Sequence, residues 1–598
     1  MKSIFSFIII TLFLAFQTSA ETEKYRLMWR DDPSTTICIG WVQNGGDTAT
    51  VYFDTTDHDG NLAAFKDSFS VDRFVSHKGM DHRFSRISGL QPNTAYYFYI
   101  EDADGSSDIF WFKTAPYNSY ETLSIIAGGD SRNNRTPRQK ANRLVSKLRP
   151  HAVLFGGDMT DDNTDAEWKE WLDDWQLTIG EDGRMIPIIA ARGNHEQSND
   201  DIIDIFDTPG GDVYYALNFG GDLLRAYTLN SMIFSGNAQN NWLENDLSTN
   251  SQVIWKMAQY HFPMRPHTSG KFDNQLQYSS WAQSFYDHHL QLAVECDAHT
   301  VKTTWPIIPD SGPNHDEGFL RDDVNGTVYT GEGCWGAPLR DNDDDKSWTR
   351  SSGKFNQFKW ILIDRYKIEL RTIKVDNGDS VGTLNDHDIR RAPANLDVWD
   401  PGNGDTVVII KNSDLSAPGI SLIEPVDYSL FPNLDPINIE ASVEDNNSVG
   451  IQKVEFFVDG EKIDSIAGGA SPYNTQWTPP DFGEYIIKAR VEDSLGEYMT
   501  KSSLITVDKS ISIDDPTEEL EYTLSPNPVS NRLFISCKNC ENTPDHIRIY
   551  DISGKMIKNY TVLNEQNNIL NLNFLDSGIY IVEINSKSVT FSSKIVKL

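Results

Sequence analysis

Cysteine is scarce in this sequence, which contains only five cysteines among 598 residues. So few thiols exclude the dense disulfide framework that holds small secreted domains together. Cys537 and Cys540 are spaced like half of a zinc site, but no second pair completes it, so a local disulfide and two plain thiols are the alternatives. The sequence leaves open whether Cys296 and Cys334 pair with each other.

Positive charge is also in short supply. The chain has 52 lysine and arginine residues against 87 aspartate and glutamate residues, which gives a formal net charge of -35 at pH 7. The sequence shows no cluster of basic residues of the kind that binds nucleic acid, so we do not expect nucleic acid to be a main partner. The acidic composition does not exclude a phosphate-bearing substrate, because bound divalent cations reverse the local potential of an acidic site.

The sequence has no long apolar run except at its N-terminus. Lys2, the apolar residues 4–16 and the small residues Thr18-Ser19-Ala20 have the order of a secretory signal peptide over residues 1–20. The run is shorter than the roughly 20 apolar residues that a membrane span requires, and no later segment qualifies as a transmembrane segment. We therefore expect a mature protein that begins near Glu21 and lies outside the cytoplasm.

Several domains are expected, because 598 residues exceed what one hydrophobic core normally serves. Short alternating strands over residues 21–116 predict a β-sandwich, and the same pattern returns over residues 417–508. A polar linker, residues 509–521, precedes a last β-rich region, residues 522–598.

Residues 117–412 have a different pattern, in which buried strands alternate with helices. Leu123–Ala127 and Ala152–Phe155 are continuous apolar runs that end in Gly-Gly-Asp, Met185–Ala190 is a third strand, and Arg138–Leu148 has helical spacing. The predicted fold class is a multidomain protein with an α/β core flanked by all-β sandwich domains. Loops at the carboxyl ends of the core strands are expected to build the functional site.

Five short polar motifs follow one another within this core region. They are Gly129-Asp130, Gly157-Asp158, Gly193-Asn194-His195-Glu196, Tyr260-His261 and Cys296-Asp297-Ala298-His299. A pair of adjacent metal ions requires one bridging carboxylate and further oxygen or imidazole ligands on each ion. The motifs supply these ligand types, so they predict a dinuclear metal site.

Individual roles follow from the order of the motifs. We predict that Asp158 bridges the two ions, that Asp130 holds the first ion, and that Asn194 and His261 hold the second. His195 cannot easily bind the same ion as its neighbour Asn194. It is therefore predicted to donate a proton to a leaving oxygen or to clamp a phosphoryl group.

The motif series resembles that of the calcineurin-like metallophosphoesterase superfamily. Residues 90–99 resemble the Leu-x-Pro-x-Thr-x-Tyr signature of fibronectin type III modules, including those ahead of the catalytic domain in plant-type purple acid phosphatases. The resemblance extends from Lys24 to about Val408. It implies a four-layer α/β/β/α sandwich, two divalent metal ions and a phosphate ester as substrate.

Three positions depart from the purple acid phosphatase pattern. Asp161 stands where that family has a metal-binding tyrosine, so we expect no purple iron–tyrosinate colour. Asp297 stands in place of a histidine on the second ion, while His299 still faces the first. Arg132 replaces a histidine ligand and stays protonated, so it either binds phosphate oxygens or forms a structural salt bridge.

The resemblance thus implies seven metal ligands: Asp130, Asp158, Asp161, Asn194, His261, Asp297 and His299. Added carboxylates shift the preference toward Mn, Fe or Mg and away from Zn, although the sequence does not identify the ions. His267 stands where relatives often place a second substrate-facing histidine, with a plain surface loop as the alternative.

The C-terminal third resembles two further families. Residues 453–460 and 485–493 resemble bacterial immunoglobulin-like modules. Residues 524–528, 549–555 and 578–582 carry motifs similar to those of the sorting domain of the type IX secretion system of Bacteroidetes. This resemblance implies the type IX secretion machinery as a partner, and a protein that is secreted or attached to the cell surface after it crosses the outer membrane.

The expected function is a secreted metal-dependent phosphatase. Metal-activated water would attack a phosphate monoester directly, without a phosphoenzyme intermediate. Two alternatives stay open: a phosphodiesterase on the same fold, and a non-catalytic cell-surface binding protein with a degenerate metal site. The three substituted positions and the two accessory β modules are the features that favour the binding protein.

Overall fold

The computed structural model of this chain describes residues 21–46, 48–233, 238–410, 418–446, 448–509, 521–529, 531–538, 546–551, 555–561, 567–586 and 589–597. The predicted signal peptide and most of the predicted linker lie outside the described residues. The chain forms two compact units. The first comprises the residues up to Ser429 together with Asp435–Thr506, and the second comprises Leu430–Leu434 and Val507–Leu598.

The N-terminal region of the first unit is built from eight short strands. They are β1 (Thr22–Met28), β2 (Thr36–Gln43), β3 (Thr50–Asp54), β4 (Asp67–Ser70), β5 (Arg73–His77), β6 (Met80–Ser88), β7 (Ala95–Glu101) and β8 (Phe110–Lys113). One four-stranded sheet has the order β4-β3-β7-β8. The other four strands continue into the sheet of the next region, because β1 pairs in parallel with the strand Pro187–Ala190.

The central region alternates strands and helices. Its helices are α1 (Arg135–Leu148), α2 (Asp165–Trp175), α3 (Asn199–Phe206), α4 (Ala238–Thr249), α5 (Gln275–Gln277) and α6 (Gln283–Asp287). Its strands are β9 (Leu123–Gly128), β10 (Ala152–Phe155), β11 (Pro187–Ala190), β12 (Tyr215–Phe219), β13 (Leu224–Thr228), β14 (Trp255–Gln259), β15 (Leu292–Glu295), β16 (Val301–Thr304), β17 (Ile307–Pro309), β18 (Phe319–Arg321), β19 (Val328–Gly331), β20 (Thr349–Gly353), β21 (Gln357–Ile363), β22 (Lys367–Lys374) and β23 (Thr406–Ile410).

Two large sheets organise the central region. The first has ten strands in the order β23-β22-β21-β9-β10-β11-β1-β2-β6-β5, and the second has seven in the order β12-β13-β14-β15-β19-β16-β20. Strands β9, β10 and β11 are parallel, as are β13, β14, β15 and β19. The carboxyl ends of each parallel set therefore lie at one edge of its sheet.

Strand β9 explains why the core strands read as continuous apolar runs. Ile125 and Ala127 pack in the cluster that contains residues of both sheets, such as Met257 of β14. Ile126 points to the opposite side and packs with Leu144 of α1. Because successive side chains alternate between two covered faces, every residue of the strand is buried.

A third apolar cluster covers the outer face of the second sheet, where Leu243 and Leu247 of α4 and Phe285 of α6 pack against Ala258 and Ala293. The layer order is therefore helices, sheet, sheet, helices. This confirms the predicted fold class, an α/β core with flanking β domains.

Helix α2 (Asp165–Trp175) is capped at its N-terminus and buries its tryptophans. Thr164 and Glu167 form a capping box at its N-terminus, which satisfies the first free backbone N–H groups. Trp168, Trp171 and Trp175 are buried against the ten-stranded sheet rather than exposed as a binding platform.

The Ig-like region has eight strands: β24 (Gly419–Glu424), β25 (Ser429–Phe431), β26 (Ile437–Glu444), β27 (Ile451–Val458), β28 (Glu461–Ala467), β29 (Tyr473–Trp477), β30 (Gly483–Asp493) and β31 (Tyr498–Val507). They form sheets of three and five strands. The strands of the second unit are β32 (Glu521–Ser525), β33 (Arg532–Lys538), β34 (His546–Asp551), β35 (Met556–Thr561), β36 (Asn567–Asn571), β37 (Gly578–Ser586) and β38 (Val589–Lys597). Sheets of three and four strands enclose its apolar cluster, which includes Leu533, Ile547 and Val582.

Within the described residues, no helix combines the length and the apolar character needed to cross a membrane.

Candidate metal centre

The motif residues occupy loops that directly follow parallel strands. Asp130 follows β9, Asp158 follows β10 and Asn194 follows β11, all in the first sheet. His261 follows β14 and Asp297 follows β15, both in the second. The two facing sheets therefore bring one set of loops from each side to a common site.

Potential ligand atoms form three overlapping groups, two of which contain Asp158 and consist of carboxylates and imidazoles alone. Asp130, Asp158 and His299 form the first group, and Asp158, His261 and Asp297 form the second, with the ligand atoms of each group within 4.8 Å of one another. All five side chains are buried. Asp158 belongs to both of these groups, as a carboxylate shared by two cations would, and its bridging role stays a prediction.

Backbone carbonyls fix the orientation of both histidines. Nδ1–H of His299 donates to the Pro338 carbonyl at 2.9 Å, which turns Nε2 toward Oδ1 of Asp130 at 3.2 Å. Nδ1–H of His261 donates to the Gly156 carbonyl at 2.9 Å, and its Nε2 lies 3.3 Å from Oδ1 of Asp158. Such outer hydrogen bonds hold a ligating histidine in one tautomer and one ring orientation.

Asn194 and His195, although adjacent in sequence, have different neighbours. Oδ1 of Asn194 lies 3.0 Å from Nε2 of His261, so Asn194 belongs with the second group. The His195 backbone N–H donates to Oδ1 of Asp158 at 2.9 Å, and its ring Nδ1–H donates to the Asp161 carbonyl. Ring Nε2 of His195 lies 3.7 Å from Oδ2 of Asp158 at a partly exposed position, where a substrate can reach it.

The electrostatics of the cluster favour bound cations. Burial would raise the pKa of Asp158, but the charges of His261 and His195 outweigh it and hold that pKa below its usual range. Burial lowers the pKa of His261, whereas Asp158 and Asp130 raise it, and the net pKa lies well above the ordinary value. Oδ1 of Asp130 is buried without a hydrogen-bond partner. An unsatisfied buried carboxylate oxygen beside carboxylates and imidazoles fits divalent metal ions.

The cluster is held by a strained backbone. Asp130, Asp158, Asp297 and His299 all have positive φ, at 57°, 54°, 67° and 55°. Non-glycine residues adopt this region at a cost of about 1–3 kcal/mol each, and such residues concentrate at functional sites. The repeated left-handed turn points the side chains inward from the ends of the strands.

Glu196 braces the Asp158 turn and the Gly193 turn, a role that the sequence analysis did not predict although Glu196 belongs to a recognised motif. Its carboxylate accepts hydrogen bonds from the backbone N–H groups of Asp158 at 3.0 Å, Met159 at 2.8 Å and Gly193 at 2.7 Å. Burial and the charge of Asp158 raise the pKa of Glu196. Only the tertiary pairing of the two turns reveals this role.

Arg132 and Asp161 bind each other. Nε of Arg132 donates to Oδ1 of Asp161 at 2.8 Å, and the amide of Asn133 donates to Oδ2 at 2.9 Å. Both oxygens of Asp161 therefore have partners, and Asp161 does not join either ligand group. These contacts go against the predicted metal-ligand role of Asp161. They match the salt-bridge alternative for Arg132, whose guanidinium is engaged at this ion pair.

Asp297 also has a cationic partner that the sequence reading missed. Nζ of Lys271 forms an ion pair with Oδ1 of Asp297, the same oxygen that lies 3.7 Å from Nε2 of His261. Lys271 comes from the loop after β14 and is partly exposed. A cation that binds Asp297 must therefore compete with an ammonium group.

His267 is neither a substrate-facing residue nor part of a surface loop. Its side chain is fully buried, Nε2 lies 2.7 Å from the Thr349 hydroxyl, and its backbone N–H donates to Glu332 at 3.1 Å. The indole of Trp348 packs against its ring. These contacts go against the predicted catalytic role of His267, because strand β20 and its flanking residues cover the side chain.

The buried cysteines are free thiols. Cys296 and Cys334 do not form a disulfide. The Cys296 sulfur groups with Asp130 and His261 as a third potential ligand cluster, but burial raises the pKa of this thiol to about 12. Without a bound metal it is a protonated thiol packed behind the carboxylates.

Models of known families match four regions of the chain. Residues 106–294 match calcineurin-like phosphoesterases, and residues 22–114 match the N-terminal domain of purple acid phosphatases. Residues 418–489 match a bacterial Ig domain, and residues 523–598 match a secretion system C-terminal sorting domain. These matches confirm the resemblances that the sequence motifs indicate.

A solved structure shows the same fold. The purple acid phosphatase PPD1 from seeds of yellow lupin (Lupinus luteus) is 14% identical, with a TM-score of 0.53 over 66% of this chain and 75% of that one. PhoD is 10% identical, with a TM-score of 0.48 over 66% of this chain and 94% of that one. No curated protein matches the chain.

Gly193 permits the close approach of the ligand loops, and this generates a prediction. A Cβ at residue 193 would lie 2.3 Å from Oδ1 of Asp158 and 2.9 Å from Cε1 of His261. We expect Gly193→Ala to push these ligands apart and to weaken metal binding more than tenfold, as measured by metal analysis after dialysis. Gly211→Ala is the matched control, because a Cβ there meets no atom within 4 Å. Metal content equal to that of the unmodified protein would contradict this role of Gly193.

Proposed function

We propose that this chain, whose central region matches calcineurin-like phosphoesterases, is a secreted phosphatase that uses two divalent metal ions to hydrolyse phosphate monoesters. The observation that carries the proposal is the position of Asp158 in both ligand groups. One group then holds an ion with Asp130 and His299, and the other holds an ion with Asn194, His261 and Asp297. Bound at these residues, the ions would lower the pKa of a water molecule toward ~7 and neutralise phosphoryl oxygens.

The chain's own residues supply orientation and proton transfer. His195 is partly exposed beside Asp158, with Nδ1–H held by the Asp161 carbonyl. Its Nε2 is therefore the atom that faces substrate and transfers a proton to the departing oxygen. Arg132, ion-paired with Asp161, contributes through Asp161, whose carbonyl orients His195. Arg132 is thus a positioning residue in this proposal.

Two side chains support a monoester rather than a diester. A phosphate monoester is largely dianionic at neutral pH, whereas a diester carries one negative charge. Lys271 and His195 both border the ligand cluster, where Lys271 offers an ammonium group and His195 offers a ring nitrogen in addition to the metal ions. This arrangement suits the extra charge of the monoester.

The sorting-domain match extends the proposal to location. Residues 523–598 match a secretion system C-terminal sorting domain. We propose export through the type IX machinery, which leaves the catalytic unit outside the cell as a free or surface-attached enzyme. The candidate domain limits are residues 21–116, 117–412, 417–508 and 522–598.

Substrate preference and metal dependence test the proposed reaction. The mature protein is assayed with an aryl phosphate and a bis-aryl phosphate after loading with Mn²⁺, Fe²⁺, Mg²⁺ or Zn²⁺. We expect the monoester to be preferred, and Asp158→Asn to lose both stoichiometric metal and at least 10³-fold in kcat/KM, because one substitution removes a ligand from both ions. Preference for the diester would move the function to a phosphodiesterase. If the protein neither holds stoichiometric metal nor hydrolyses either substrate, the result would favour the non-catalytic binding protein.

The role of His195 predicts a dependence on the leaving group. His195→Ala is expected to lower kcat for an alkyl phosphate by about 10²–10⁴-fold, because an alkoxide leaves poorly without a proton donor. For a nitrophenyl phosphate, whose leaving group departs without protonation, the loss should be much smaller. His288→Ala, on the outer helix face beside Glu244, is the control. Equal losses for the two substrates would contradict proton donation by His195.

The ion pair of Lys271 with Asp297 predicts a gain in metal affinity. Lys271→Met frees Oδ1 of Asp297 and removes a positive charge from the second ligand group. We expect at least one ion to bind about tenfold tighter, a change of about 1.4 kcal/mol, measured by calorimetric titration without substrate. Lys354→Met, which removes an exposed ion pair with Asp341, should leave the affinity unchanged. Unchanged or weaker metal binding in Lys271→Met would show that the ammonium does not compete with the ion.

A further inference from the structure

A cavity outside the metal centre lies between the central region and the Ig-like module, within the first compact unit. Its volume is about 670 Å³, which is sufficient for a small molecule. The walls include Lys113 at the end of β8, His151 just before β10 and Lys488 of β30. No residue of the two ligand groups lines it.

Fixed contacts hold the two sides of the cavity together. The rings of Tyr120 and Tyr498 stack with centroids 5.1 Å apart. Arg365 pairs with Glu497 at 3.2 Å, and the Tyr366 hydroxyl donates to the same carboxylate at 2.7 Å. The cavity is therefore formed by a packed interface.

The cavity is cationic in an acidic protein. Eight lysine and arginine residues and six aspartate and glutamate residues line it, while the whole chain has a net charge of -35. Its carboxylates already have partners: Asp386 pairs with Arg149 and Arg184, and Asp388 accepts a hydrogen bond from Ser502. Glu121 accepts a hydrogen bond from the Tyr498 hydroxyl at 3.3 Å.

Three donors in this cavity lack partners. Among the described residues, neither the Lys113 nor the Lys488 ammonium group has a hydrogen bond or an ion pair, although both side chains are only partly exposed. Nδ1 of His151 accepts a hydrogen bond from the Ser124 backbone N–H at 3.0 Å, so in the neutral ring Nε2 carries the proton. No acceptor in the described part of the chain binds that Nε2–H.

We propose that this cavity binds a phosphate dianion, free or as the terminal group of a small monoester, between Lys113 and Lys488. Two unpaired ammonium groups balance two negative charges, and the neutral His151 N–H adds a donor without further charge. A carboxylate would balance only one of the lysines. The ligand bridges β8 and the Ig-like module, so its binding stabilises their contact.

Burial of the lysines supports this assignment. Burial lowers the pKa of Lys488, and it lowers the pKa of Lys113, which Arg184 and Lys488 lower further. Burial likewise lowers the pKa of His151 to about 3, so the ring is neutral at physiological pH. Asp386 and Glu121 raise the pKa of Lys113, and Asp388 and Glu121 raise that of Lys488, but burial outweighs them in both cases. An anion placed between the two ammonium groups offsets this cost of burial.

Calorimetric titration of inorganic phosphate into the metal-loaded mature protein tests the proposal. We expect one phosphate site that the double variant Lys113→Met/Lys488→Met loses or binds at least tenfold more weakly. Lys501→Met, an exposed lysine at the same cavity, is the matched control and should retain the site. Lys488→Arg should also retain it, which separates loss of charge from loss of folding.

Two further measurements distinguish this site from the metal centre. Inhibition of hydrolysis by phosphate should be the same in the double variant, because its lysines lie outside the ligand groups. Phosphate should raise the thermal midpoint of the unmodified protein more than that of the double variant. Unchanged phosphate stoichiometry and affinity in the double variant would overturn the proposal. This result would not depend on whether the protein hydrolyses phosphate esters.

The probes also separate the two sources of the ligand. Methylphosphonate is a non-hydrolysable substitute for a monoester. Tighter binding of methylphosphonate than of phosphate would identify an ester as the ligand, and the reverse would identify released phosphate. Acetate at equal ionic strength should not compete, and competition by acetate equal to that by phosphate would contradict recognition of a dianion.

Discussion

The constraint on which this structure depends is the burial of three aspartates in one small space. Asp130, Asp158 and Asp297 are almost completely buried and belong to ligand groups joined through Asp158. Like charges so close together are unfavourable unless positive charge lies among them. His261, whose pKa the neighbouring carboxylates raise, and Lys271, which pairs with Asp297, supply part of that charge. The remaining attraction is what makes the cluster a receptor for divalent cations.

The fold keeps these repelling carboxylates together because rigid strands and hydrogen bonds hold the loops that carry them. Strands β9 and β10 are apolar on both faces, so the loops that follow them start from fixed positions. Glu196 then ties the Asp158 turn to the Gly193 turn through three backbone N–H groups. The left-handed backbone at Asp130 and Asp158 is stable because these packed and hydrogen-bonded neighbours determine it.

The sequence predicts those features of the site that local pattern determines. Apolar runs ending in Gly-Gly-Asp located the strands, and strand ends placed Asp130 and Asp158 at one edge. What it could not predict are partners brought together only by tertiary structure. Arg132 and Asp161 are 29 positions apart, Lys271 and Asp297 are 26 apart, and no periodicity connects them. The burial of His267 depends on β20 in the same way. The pairing of β1 with β11 likewise joins regions that the turn pattern had separated.

The substituted positions are better explained by a remodelled site than by a decayed one. A site that loses function accumulates unpaired charges and unrelated side chains, because nothing selects their partners. Here each substitution meets an opposite charge: Arg132 binds Asp161, and Asp297 binds Lys271. The bridging position, the Asn194–His261 contact and the orientation of His299 are intact beside them. The two groups that share Asp158 are unequal, because the first has three residues and the second has three with Asn194 beside them. Oxygen donors outnumber imidazoles in both groups, so the harder divalent cations suit this centre better than zinc.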